Sequence, residues 1–108
     1  GTYLAERAQI LNAHACVGDV RTKGLMMGIE LVHDKETKAP FDPALGASAR
    51  GAALALERGL SISGVAGVAD WVRGDDLRFY PPLIITKEQI DEAVAIIDAV
   101  LGELDQLA

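Results

Sequence analysis

The stretch from Ile85 to Leu104 limits the possible folds of this chain more than any other. Thr86 followed by Gln89 has the spacing of a capping box, in which the threonine hydroxyl accepts from an early helix amide and the glutamine accepts from the threonine's own amide. Ile85 and Ile90 flank it as a hydrophobic staple, so a helix is expected to start at Thr86. Ile90, Ala93, Val94, Ile97, Leu101 and Leu104 then recur at helical spacing, with Asp91, Glu92, Asp98 and Glu103 left for water. An apolar stripe of that length cannot stand in solvent, so the rest of the chain has to supply a surface that covers it.

Aliphatic side chains have to build that surface, because half the residues are hydrophobic but the aromatics are only two Phe, two Tyr and one Trp. The 108 residues are enough for one domain with one modest core. Thr2 to Ala15 reads as an amphipathic helix with Leu4, Ala8, Leu11 and Ala15 on one side. No capping residue precedes it, as expected of a helix cut from something longer. Gly18 and Gly24 bracket a polar connection, Asp19 to Lys23. Leu25 to Val32 is a strand candidate with Leu25, Met27, Ile29 and Leu31 on its core face, while Gly28 on the other face admits a close neighbour.

His33 to Phe41 reads as a surface turn. Asp42 and Pro43 supply an N-cap and a first-turn proline for a helix that runs to about Arg58 and stops at Gly59, with Ala49, Ala52, Ala53 and Leu56 expected against a sheet. Leu60 to Ser63 is a short strand, Gly64 to Gly67 a flexible loop, and Asp70 to Asp75 a turn. Leu77 to Tyr80 alternates as a strand until Pro81-Pro82 ends its pairing. The predicted class is α+β, a roughly three-stranded sheet covered by helices, with residues 1–108 forming a single domain.

A formal charge of −6 argues against nucleic acid and anionic membrane surfaces as partners. Apolar runs such as Pro81 to Ile85 are far shorter than the ~20 residues that span a bilayer, and no leader is recognisable, so a cytoplasmic location is expected. Cys16 is the single cysteine and reads as a small buried hydrophobe. His14 and His33 lie on different elements and make no metal-ligand pair, and no helix start follows Gly64 to Gly67 to turn it into a phosphate cradle. Arg78 shares a strand face with Tyr80 just before the rigid Pro-Pro turn, where an arginine can grip a carboxylate bidentately. From spacing alone, a solvated edge-strand arginine is the simpler reading.

Three blocks in order change that balance: Arg21 to Val32, Asp34 to Lys38, and Leu77 to Thr86, the last reading Leu-Arg-Phe-Tyr-Pro-Pro-Leu-Ile-Ile-Thr. Together they resemble the C-terminal small domain of class III (omega and ornithine-type) aminotransferases, over nearly the whole chain. The resemblance implies a fold type I enzyme, usually a homodimer, that uses pyridoxal 5'-phosphate to move an amino group from an amine or amino acid to an oxo acid. It also implies a large domain, outside this chain, that carries the cofactor and its lysine. None of Lys23, Lys35, Lys38 or Lys87 matches the cofactor lysine, so no catalytic residue is carried over and this chain alone is expected to be inactive.

The role that does carry over is binding of the substrate carboxylate. It falls on Arg78 by one family pattern and on Arg73, before Gly74-Asp75, by another with a shifted offset. Thr22 departs from the family's usual glycine. Ser63 to Asp75 is longer than in many members, and Trp71 within it either lines the substrate pocket or packs on the domain surface. Two rivals stand beside the aminotransferase: a same-family aminomutase or decarboxylase, and a free-standing α+β binding module, against which the uncapped first helix speaks.

Overall fold

A computed structural model describes residues 2–68 and 73–108. Its elements in chain order are α1 (Thr2–Ala8), β1 (Val17–Lys23), β2 (Met26–Leu31), α2 (Ala47–Glu57), β3 (Ser63–Ala66), β4 (Asp75–Phe79) and α3 (Lys87–Leu104). The four strands form one antiparallel sheet in the order β1-β2-β4-β3. The α+β class is as expected from the sequence, with one strand more.

The additional strand is β1, where a polar connection was expected. Val17, Val20 and Thr22 favour extended backbone, and Gly24, at φ +59°, takes the left-handed conformation needed at the first position of a two-residue hairpin loop. Lys23 thereby pairs with Met26 and the two strands zip back to Leu31. The glycine read as a bracket is the turn of a hairpin.

β3 is displaced in the same sense. It occupies Ser63–Ala66 rather than Leu60–Ser63, so most of the Gly64 to Gly67 stretch is paired strand and not flexible loop. The connection to β4 closes at its base where the Gly67 amide donates to the Gly74 carbonyl at 2.8 Å. Ser63–Ala66 of the predicted loop region is therefore strand.

Met27, Ile29, Leu31, Leu77 and Phe79 are buried on one side of the sheet, where they meet the α3 stripe of Ile90, Val94, Ile97, Leu101 and Leu104. Thr86 makes the capping box as read, its hydroxyl accepting from the Gln89 amide at 3.1 Å while Gln89 accepts from the Thr86 amide at 3.0 Å. Thr86→Ala should lower stability by ~1 kcal/mol, read as a shift in the urea midpoint. An unchanged midpoint would mean that tertiary contacts alone hold this helix end.

Two helices depart from expectation. The first ends at Ala8 and continues as a 3-10 turn through Ala13, so Ala15 lies beyond it and is exposed. In the second, Asp42 and Pro43 start only a 3-10 turn, and α2 proper begins after Gly46. Its N-terminus is capped from a distance, the Ser48 amide donating to the buried Asp75 carboxylate at 3.0 Å. Ala47, Ser48, Gly51 and Ala55 face the core, and Ala49, Ala53 and Leu56 are exposed, the reverse of the predicted face. Gly51 decides the rotation, since a Cβ there would sit 2.9 Å from a Leu77 methyl and 3.2 Å from a Leu104 methyl. Gly59, at φ +85°, follows the helix as expected.

The acidic face of α3 does more than meet water. Asp91 accepts from the Tyr3 hydroxyl at 2.7 Å and from Arg7 at 3.0 Å, which ties α1 to α3. His14 lies between Asp98 and Asp105, each 2.6 Å from a different ring nitrogen, an arrangement that suits the imidazolium because it can donate at both. Burial alone would lower its pKa, but the hydrogen bonds that the ring donates to Asp105 and Asp98 outweigh it and raise the value. A raised folded-state pKa stabilises fully below the ordinary His value of 6.5 and loses that contribution as pH rises through the folded value. Urea midpoints should fall as pH rises above the ordinary His value of 6.5 in the wild type, and much less in His14→Asn. Equal slopes in the two proteins would exclude the clamp.

Candidate functional site

The sheet face turned away from the core carries the charged residues. Register places Arg21, Gly28, Arg78 and Ser63 in one row across all four strands, with Glu30 and Asp76 paired in the neighbouring row. Alternation had already set Arg78 and Tyr80 on this side. Arg21 joins them only because Asp19–Lys23 is a strand.

Asp76 organises the row. Its side chain is only 5% exposed, and its Oδ2 accepts from Arg78 Nη2 at 3.3 Å and from Arg21 Nη2 at 3.4 Å. Arg21 also reaches Asp19 at 3.4 Å. The Asp76 hydrogen bond raises Arg78 above its already high pKa, so this guanidinium is permanently charged. Gly28 lies between the arginines and puts no side chain there, so Arg21 can lean over it toward Asp76 on β4. Arg21, Lys23, Met26, Arg78 and Tyr80 line a groove of about 360 Å³ on this face. Such an arrangement has the chemistry to take an anion, above all a planar one that two N–H groups can grip together.

Arg73 lies before β4 and Arg78 near its far end, so the two sequence candidates are not brought together. Arg73 is exposed. Trp71 lies outside the described residues. Sequence reasoning missed Asp76 and Arg21, although the alternation Asp76-x-Arg78-x-Tyr80 was available once β4 was extended toward its N-terminus.

Three of the four lysines are held in contacts of their own, and Lys23 lines the groove. Lys35 donates to the Asn12 and His14 carbonyls, Lys38 to the Gly18 carbonyl, and Lys87 lies 5.2 Å from the centre of the Tyr3 ring. All three are engaged in local contacts, and Gly64 to Ala66 is paired strand rather than a phosphate cradle. Cys16 is fully buried and its burial pushes the thiol pKa up, which suits an inert core residue.

The fold has direct counterparts among known proteins. The family model for class-III aminotransferases matches residues 1–101. Diaminobutyrate–2-oxoglutarate transaminase of Halomonas elongata is 40% identical over 96 residues, covering 88% of this chain and 19% of its own length. Isoleucine 2-epimerase of Lentilactobacillus buchneri is 37% identical over 99 residues, covering 91% of this chain and 20% of its own. A PLP-bound mutant aminotransferase from Vibrio fluvialis superposes with a TM-score of 0.86 at 27% identity, over 99% of this chain and 22% of that one. The chain belongs to the class-III aminotransferase family. It spans about a fifth of the length of the curated relatives it matches.

Proposed function

We propose that this chain is the C-terminal small domain of a pyridoxal-phosphate-dependent aminotransferase, and that it closes over the active site and binds the substrate carboxylate through Arg78. The observation that carries the reading is a charged arginine on the open sheet face, held by a buried carboxylate beside a groove. The Halomonas relative is named for substrates that bear carboxylates, which fits this role. The large domain holds the cofactor, which supplies the electron sink for chemistry next to the amino group. A cytoplasmic homodimer remains the expected setting.

The test is amino transfer by the full-length protein, from an amine or amino acid to an oxo acid with added pyridoxal phosphate. Net transfer is the expected result. The Lentilactobacillus relative favours a second reading, racemisation or epimerisation of an amino acid, and inversion without net transfer would select it. This chain alone should neither transfer an amino group nor retain the cofactor after borohydride treatment. Stoichiometric trapping at one of its lysines would contradict the division of labour between the domains.

A further inference from the structure

We infer that Asp76, held in turn by Arg21, is the positioning residue that aims Arg78 at the substrate carboxylate. The inference rests on reading Arg78 as the carboxylate ligand and adds a residue that the sequence patterns did not single out.

An arginine side chain is long and flexible, and a guanidinium that grips a carboxylate bidentately has to be fixed in both place and plane. Arg78 is 39% exposed in its side chain, so packing alone does not fix it. Asp76 lies two positions earlier on the same strand and face, and at 5% exposure it has little freedom of its own. Its contact with Arg78 is made through Nη2, which leaves most of the five N–H donors of the fork for another partner.

Arg21 completes the device from two strands away. A buried carboxylate with a single exposed partner loses its compensation whenever that partner swings to a ligand. Here the same Oδ2 accepts from Arg21 Nη2, so Asp76 keeps a cationic partner and its place while Arg78 engages substrate. Gly28 leaves the path open: a Cβ at that position would be in ordinary contact with Arg21 Nη2 at 3.6 Å, and a larger side chain would lie across the path. The row Arg21, Gly28, Arg78 is set by register and not by a mobile loop, so the geometry is built into the sheet.

The experiment is steady-state kinetics of the full-length enzyme carrying Asp76→Asn, Arg21→Gln, Arg21→Lys, Arg78→Ala, or Asp76→Asn with Arg78→Ala. Each is assayed with one carboxylate-bearing amino donor and one carboxylate-free amine. Asp76→Asn should raise KM for the carboxylate-bearing donor on the order of tenfold, with kcat at saturation nearly unchanged and the carboxylate-free amine unaffected. Arg21→Gln, on a more exposed side chain, should move the same KM in the same direction by a smaller factor, and Arg21→Lys should recover part of that change. The double variant should be no worse than Arg78→Ala alone, because a positioning residue has nothing to position once its target is gone. Equal losses for both donors in Asp76→Asn and Arg21→Gln would identify a general structural role and overturn the inference. A selective defect in Arg78→Ala without one in Asp76→Asn or Arg21→Gln would overturn it too, leaving the carboxylate reading intact. If Arg78→Ala itself is not selective, the carboxylate reading fails, and the positioning role fails with it.

Discussion

Gly64→Ala is expected to destabilise this domain by about 3 kcal/mol, the upper end of what one added methyl costs in a packed interior. The Cβ would stand 2.4 Å from the Ser48 carbonyl oxygen and 2.8 Å from its carbon, both backbone atoms with no rotamer to relax into. Neither partner can retreat easily. The Ser48 amide is anchored to Asp75, and Gly64 is paired with Leu77 of β4, so relief means separating α2 from the sheet or breaking the β3 ladder. A domain whose total stability is about 5–15 kcal/mol would lose a large share of it. Gly102→Ala is the opposite case, a glycine within α3 whose added methyl meets nothing nearer than a His14 carbon at 3.9 Å. It should stabilise by ~0.5–1 kcal/mol, because alanine loses less backbone entropy than glycine in a helix. Urea midpoints that move in opposite directions confirm both assignments; a neutral Gly64→Ala would mean that α2 does not lie on β3 as closely as described.

That contrast explains which parts of the fold were legible in the sequence. Signals that act within a few residues were read correctly: the Thr86–Gln89 box, the α3 stripe, Gly59 as a helix stop, and the alternation that buries Met27, Ile29 and Leu31. What depended on a distant partner was not. β1 is a strand because β2 pairs with it, and β3 lies at Ser63–Ala66 because β4 supplies the register. The rotation of α2 follows from Ser48, Gly51 and Ala55 being the side on which the sheet can approach most closely, whereas counting alanines selected the largely exposed side. Asp75 as a tertiary cap was equally hidden, since the local cap at Asp42 serves only the short turn before α2.

The site divides along the same line. The place of Arg78 on the open face was readable because strand alternation and the Pro-Pro turn fix it, while its role is what the resemblance implies. Asp76 and Arg21 were not, because each acquires its meaning from a cross-strand contact with residues more than fifty positions apart in one case. Arg73 and Arg78 both remained open in the sequence, and the structure sets them at opposite ends of β4. Only Arg78 lines the groove with Arg21 and Tyr80.

Arg78→Ala in the full-length enzyme is therefore expected to cut kcat/KM for carboxylate-bearing substrates by thirtyfold or more, the loss that follows when one partner of a desolvated charge pair is truncated at a cost of about 2–5 kcal/mol. Amines without a carboxylate should react nearly as before, because the lost contact has no counterpart in them. A solvated strand-edge arginine would produce neither effect, since exposed pairs contribute about 0–1 kcal/mol. The selectivity matters more than the size of the loss, because damage to folding or to domain closure would slow every substrate together.

The central measurement is thus the ratio of kcat/KM for a carboxylate-bearing donor to that for a carboxylate-free amine, in wild type, Arg78→Ala and Arg73→Ala. The ratio is predicted to collapse in Arg78→Ala and to hold in Arg73→Ala. A collapse in Arg73→Ala alone would move the carboxylate to the other end of β4, and a ratio unchanged in both would contradict the claim that this domain binds the carboxylate at all.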